Sequence, residues 1–267
     1  MARRLGRLPG KKETTTMNYV LMIHAAESRA ASRSKSEQEA LMQAYGAFTK
    51  ELFATGRAGD CAALEPTKTA TTVQLRNGQR IVKDGPFAET REQLGGYYSF
   101  DAKDEDEAQA WAARIPSAKD GTIELRPVVD SGPPEAAAPG AKVDPKALKD
   151  YILLIYETEA RWATMSEEEQ RATFARYGEF TRGVREAGQL VAGEQLDTVM
   201  KAKSVSVTGQ GRVVRDGPFA ETREQLGGYY RVRARDLDEA IQLACRIPAA
   251  ETGTIEIRPV ADTSAYA

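Results

Sequence analysis

Two stretches of this 267-residue chain carry the same fifteen letters, DGPFAETREQLGGYY, at Asp84–Tyr98 and again at Asp216–Tyr230. Each holds groups able to do chemistry. Asp84 and Asp216 are the candidate catalytic carboxylates, able to act as base or hydrogen-bond acceptor at a cavity mouth if burial raises their pKa. The same four letters, Asp-Gly-Pro-Phe, also make a turn in which Asp caps its own backbone, Gly takes positive φ, Pro fixes φ and Phe anchors the loop in the core. Downstream, Glu89 with Arg91 and Glu221 with Arg223 supply both charges within a few residues. On a solvated loop such a pair is worth little; in a site the arginine would grip a carboxylate or phosphate while the acid orients it. Gly95-Gly96 and Gly227-Gly228 allow close backbone approach, but without a P-loop lysine or GxGxxG spacing they are no phosphate cradle.

The tyrosine pairs alternate. Tyr98 and Tyr230 are expected to pack under helices, leaving Tyr97 and Tyr229 either to pack or to meet a ligand on the other face. On that second face the copies differ, since Ser99 and Asp101 become Arg231 and Arg233. An Asp101–Arg233 contact across an interface is therefore expected, or ordinary edge charges if the face is exposed. Glu194, in Gly193-Glu194-Gln195-Leu196, has no acidic counterpart in Cys61-Ala62-Ala63-Leu64. His24 is the single histidine and reads as structural. Cys61 has no histidine near it in sequence, and no Cys/His/Asp cluster supports a metal site. No metal, cofactor or nucleotide is therefore expected.

The duplication dictates the elements that must position these residues. Asp216 lies 132 residues after Asp84, and the same offset carries Tyr19 onto Tyr151, Arg114-Ile115-Pro116 onto Arg246-Ile247-Pro248, and Arg126-Pro127-Val128 onto Arg258-Pro259-Val260. Two repeats are expected, at 17–129 and 150–261, joined by a Pro/Ala/Gly-rich linker over 130–149. Residues 1–16 read as a basic disordered tail, 262–267 as a C-terminal tail, and Met17 as a plausible natural start. Each repeat opens with a doubly apolar strand (Tyr19–His24, Tyr151–Tyr156). A helix follows, with Met42, Tyr45, Phe48 and Leu52, or Phe174, Tyr177, Phe180 and Val184, on one stripe. Ser166-x-x-Glu169 is a capping box, while Ser34-x-x-Glu37 and Ser36-x-x-Glu39 compete for that role in the first copy. A hairpin through Asn77-Gly78, the repeated run, a second helix from Asp104 or Asp236 and an alternating last strand complete a split βαβ plan. Helices cover one face of such a sheet. The doubly apolar first strand needs cover on the other, and the second copy's sheet is the economical answer.

The fifteen-residue run, the openings NYVLMI and DYILLIY, and the closing RIP…GTIEIRPV resemble the DGPF-type branch of the YCII-related family over nearly all of 17–129 and 150–261. The resemblance implies an α+β fold: two ferredoxin-like repeats packing sheet to sheet as an intrachain dimeric α+β barrel. Some relatives carry a His–Asp pair proposed as catalytic, with the histidine on the first helix. Tyr45 and Tyr177 occupy that neighbourhood here, so that chemistry does not carry over.

A formal charge of −2 gives no drive toward nucleic acid, and no apolar run approaches the roughly 20 residues of a spanning helix. Two cysteines fit a reducing cytoplasm. The expectation is a cytoplasmic barrel that binds a small molecule in its cleft, with room for cofactor-independent catalysis. The rival is a non-catalytic accessory protein that docks a protein partner, such as an extracytoplasmic-function sigma factor. Either could assemble further as a homo-oligomer. An open polar pocket bordered by Asp84 or Asp216 favours the first reading, and a closed barrel with an exposed apolar patch the second.

Overall fold

The computed structural model describes residues 16–88, 90–129, 148–220 and 222–263. The basic tail, most of the linker, Glu89, Glu221 and residues 264–267 lie outside them. The first half runs β1 (Met17–Ala25), α1 (Glu27–Ser32), α2 (Lys35–Ala54), β2 (Ala58–Ala63), β3 (Thr71–Arg76), β4 (Gln79–Asp84), β5 (Gln93–Ala102), α3 (Glu105–Ala112) and β6 (Thr122–Pro127). The second repeats it as β7 (Lys149–Glu157), α4 (Glu159–Thr164), α5 (Glu167–Glu186), β8 (Leu190–Gln195), β9 (Lys203–Thr208), β10 (Gly211–Asp216), β11 (Gln225–Ala234), α6 (Leu237–Arg246) and β12 (Thr254–Pro259). Ser34 wins the competition to start α2, its side chain accepting from the Glu37 backbone while Glu37 reaches back to the cap. Ser166 and Glu169 do the same for α5. Asp104 and Asp236 cap α3 and α6.

The strands form two six-stranded sheets, ordered β10-β9-β6-β1-β5-β2 and β4-β3-β12-β7-β11-β8. Neither sheet belongs to one half. The β3–β4 hairpin of the first half pairs through β3 with β12, and the β9–β10 hairpin of the second pairs through β9 with β6. Val73 thereby enters the core beneath α5 and α6, and Val205 the core beneath α2 and α3. The expected intrachain α+β barrel is the architecture found, and the exchange of hairpins interlocks its halves.

Packing follows the alternation along β1 and β7. Tyr19, Leu21 and Ile23 face the helices with Phe48, Leu52 and Phe100. Val20 and Met22 face inward and meet Ile152 and Leu154 with Tyr97 and Tyr229 in a third core between the sheets. Isolated bridges join Leu64 to Val260 and Val128 to Leu196, closing the barrel at its seams. The mid-barrel is thus filled by side chains. No helix among the described residues is long and apolar enough to cross a membrane.

The double glycine of the repeated run has a backbone reason. Pairing of β1 with β5 skips Gly95 between Ile23 and His24, a β-bulge that re-aims His24, and β7 with β11 skips Gly227 at Tyr156. At Gly96 the neighbouring strand comes so near that an added Cβ would lie 2.6 Å from the Ala62 carbonyl oxygen. Gly96→Ala should therefore cost about 1–3 kcal/mol through forced backbone shifts. Urea unfolding monitored by circular dichroism will show that loss or rule it out.

Candidate functional site

The hairpin exchange decides where each DGPF turn lands. Gly85 and Gly217 take φ of +100° and +96°, and their amides donate to the Ala70 and Ala202 carbonyls at 2.8 and 2.9 Å. The turn sends the next residues across to the other half. The Phe87 amide donates to Glu256 Oε2 at 2.8 Å, and the Phe219 amide donates to Glu124 Oε2 at 2.8 Å. Phe87 stacks on Tyr156 (centroids 4.4 Å apart, planes 18° off parallel), and Phe219 on His24 (4.5 Å, 14°).

Each glutamate is held from behind by an arginine two residues along its own strand. Arg126 Nη1 lies 3.3 Å from Glu124 Oε1, and Arg258 Nη1 lies 3.2 Å from Glu256 Oε1. Both guanidinium groups are 1% exposed. Arg126 Nε also donates to the Asp197 carbonyl at 3.1 Å, and Arg258 Nε to the Glu65 carbonyl at 3.0 Å, reaching again into the opposite half. Buried charges persist only when paired and hydrogen-bonded in this way.

Between these groups, at one end of the barrel, is a cavity of about 80 Å³. His24, Tyr156, the two phenylalanines and the two Glu–Arg pairs line it, over an apolar floor that includes Met22, Leu94 and Leu226. His24 Nε2 is buried without a hydrogen-bond partner, 3.8 Å from Glu124 Oε2. Burial lowers the imidazole pKa, and Glu124 only partly opposes it. The Glu256 carboxyl is raised by burial, against the pull of the Phe87 amide and Arg258. Burial, then Glu256, holds the Tyr156 phenol well above its ordinary range.

The aspartates proposed from the sequence lie elsewhere. Asp216 is 90% exposed and bound to Lys203 Nζ at 2.7 Å, and Asp84 ends the fully exposed β4. Their strand register leaves the carboxylates in solvent, and only after the glycine does the chain turn inward. Arg91 and Arg223 are exposed too, and Glu89 and Glu221 fall outside the described residues. The motif contributes phenylalanine rings and backbone amides to the cavity, with Asp84 and Asp216 outside.

A second cluster gathers five of the other candidates toward the opposite end of β1 and β7. Tyr97 and Tyr229 are buried with ring centroids 4.7 Å apart. The Tyr97 hydroxyl donates to Asp60 Oδ2. Arg231 bridges Asp60 at 2.7 Å and Asp150 at 2.6 Å, and donates to the Cys61 carbonyl at 3.0 Å. Arg233 reaches Asp150 at 3.4 Å, so the expected Asp101–Arg233 contact is replaced by a nearer acid on the same sheet. Glu194 is half-buried, its carboxyl raised by burial and then by Asp101 and Asp60. The tyrosines are duplicated but the arginine–aspartate bridge is not, because Asp60, Arg231 and Asp150 correspond to Ala192, Ser99 and Asn18. This end of the barrel is a one-sided latch.

Alternation along TIELRP and TIEIRP marked Glu124, Arg126, Glu256 and Arg258 as the polar face of a last strand, and barrel closure buries that face. A signal was present in their identity between copies, at a face where Asp101 and Arg233 have diverged.

The match to known families agrees with this architecture. The family described as the YCII-related domain matches residues 17–131 and 150–264. This chain belongs to the YCII-related family. An uncharacterised protein of Rhizobium meliloti (strain 1021) is 38% identical over 114 residues, covering 42% of this chain and 92% of that protein. Among solved structures, a putative chlorite dismutase aligns over 94% of this YCII-related chain and 98% of its own, with a TM-score of 0.50 at 7% identity. A haem-binding protein from Thermus thermophilus aligns over 94% and 93%, with a TM-score of 0.41 at 10% identity. Such identities speak for the fold alone. A haem does not fit this end cavity. The one histidine is stacked against Phe219 and faces Glu124, and the cavity of about 80 Å³ is smaller than the about 150 Å³ that accommodates a benzene.

Two outcomes follow for this YCII-related protein. Arg231→Ser, which installs the first half's residue, strips Asp60 and Asp150 of their shared cation and should cost about 3 kcal/mol in urea unfolding. His24 binds its proton more weakly folded than unfolded, so its contribution to stability is full above about pH 6.5 and falls as pH drops toward its lowered folded pKa. The difference in unfolding free energy between wild type and His24→Tyr should change across that window and stay flat from pH 7 to 8.

Proposed function

We propose that this YCII-related protein binds a small molecule in the end cavity beneath Phe87 and Phe219. The observation that carries the reading is the convergence of buried polar groups on an apolar floor: two Glu–Arg pairs, Tyr156 and a histidine nitrogen left without a partner. Such sites combine mostly apolar walls with a few placed polar groups. Each covering phenylalanine is tied down through its amide to one glutamate of the other half. The reading takes the protein as cytoplasmic, in keeping with Cys61 and Cys245 being free thiols. The rival reading, an accessory protein docking a partner, asks for a continuous apolar face. Among the described residues the exposed large hydrophobics instead scatter over β1 (Met17), α2 (Phe53), β4 (Ile81, Val82), α5 (Phe174), the turn before β9 (Met200), β10 (Val214) and α6 (Leu237).

A thermal-shift panel of compact polar metabolites tests the proposal. A ligand at a hundredfold its Kd should raise Tm by about 5–10 °C. Ala88→Leu and Ala220→Leu, which fill the cavity from its loops, should abolish that shift while the unliganded proteins melt near wild type. Shifts that survive both substitutions would place the ligand elsewhere.

A further inference from the structure

The residues that both halves send to the walls of the end cavity are identical between copies except at one position, where His24 stands opposite Tyr156; Met22 lines it from the first half alone. Both rings of the polar pair lie under a phenylalanine sent by the opposite half, at nearly the same separation and tilt. Both stand beside the glutamate of their own half's last strand. Two near-identical surroundings hold an imidazole on one side of the axis and a phenol on the other. His24 Nε2 is buried without a hydrogen-bond partner, 3.8 Å from Glu124 Oε2, and is the nitrogen available to a ligand, with a carboxylate close enough to favour the imidazolium once it forms.

From this geometry we infer that the cavity is a proton-transfer site for a compact, neutral hydroxycarbonyl compound, with His24 as base and Tyr156 as donor to the carbonyl oxygen. The inference rests on the ligand-binding reading of the same cavity. The C–H bond beside the carbonyl breaks and its proton goes to His24 Nε2. Its electron pair becomes the new C=C bond, while the carbonyl π pair moves onto oxygen, where the Tyr156 O–H meets it. Return of a proton from the imidazolium to carbon closes the cycle with no oxidant, reductant or co-substrate. Compactness follows from the cavity of about 80 Å³, and neutrality from each buried glutamate already having its arginine. The hydroxyl is suited to Gln93 and Gln225. Their Nε2 groups are committed to the Thr90 and Thr222 carbonyls at 2.8 and 2.5 Å, which leaves each Oε1 to accept.

The test uses the full chain in D₂O with hydroxyacetone, glycolaldehyde and dihydroxyacetone, following loss of the α-hydrogen signals by proton NMR. At least one should exchange faster with protein than in buffer. His24→Tyr leaves two phenols and Tyr156→His two imidazoles, and each should lose at least about a hundredfold, the usual weight of a general acid or base. The double swap, His24→Tyr with Tyr156→His, should recover to within about tenfold of wild type, because the axis merely turns the ligand round. If both residues only pack, each single swap is tolerated and the double has nothing to rescue. Tyr156→Phe, which keeps the ring and its stacking, should lose exchange while keeping Tm, and guards against a single swap that fails to fold. Stabilisation by these compounds with no exchange would overturn the inference and leave the binding reading intact. Neither stabilisation by any metabolite nor exchange would remove both.

Discussion

Everything in this molecule depends on two short backbone ladders, β3 on β12 and β9 on β6. Each is only three residue pairs long. They are nevertheless the reason a DGPF turn from one half arrives over the strands of the other. Without the exchange, Phe87 would have no Tyr156 beneath it and Glu256 no amide to accept. The Glu–Arg pairs would then be buried acids and bases lacking part of their hydrogen-bonding, a costly arrangement in a closed barrel. The cavity is therefore a product of topology first and of side-chain identity second.

The two barrel ends use the duplication in opposite ways. At the cavity, near-identical lining from both halves surrounds one pseudo-twofold axis, and a single polar substitution distinguishes its sides. At the other end, Arg231 with Asp60 and Asp150 has no counterpart, and the corresponding Ser99, Ala192 and Asn18 could not make one. Two separate copies of one domain must present the same residue twice at an isologous contact. A fused pair is free of that rule, and the latch shows where this chain has departed from it.

Much of the fold was legible because it is local. The Ser-x-x-Glu boxes, the Asn77 turn at φ +53° and the alternation of Tyr97 and Tyr98 are settled by a few neighbouring residues, and the structure follows them. The inward face of β1 could be inferred because an apolar strand needs cover on both sides. The partner of a hairpin is a different kind of fact. Nothing in TTVQLR says whether it lies beside its own half's last strand or the other's, since TIELRP and TIEIRP are nearly interchangeable. The site suffered accordingly. Asp84 and Asp216 drew attention as carboxylates, whereas the exchange turns the motif's phenylalanines and amides inward. His24 reads as structural in the sequence, and Glu124 and Phe219 are brought to it only by the completed barrel.

The same exchange sets an order on biosynthesis. As the chain leaves the ribosome, β3 and β4 emerge early, but the strand that β3 must pair with lies some 180 residues further on, the separation spanned by Gln74 and Thr254. At about 5–20 residues per second that is a wait of roughly ten to forty seconds. Throughout it, β3 has an unpaired edge, and Val73 lacks the core it will occupy. Such an edge is what chaperones hold and what neighbouring nascent chains can steal. A polysome translating this message therefore brings together many copies of a hairpin whose proper partner has not yet been made.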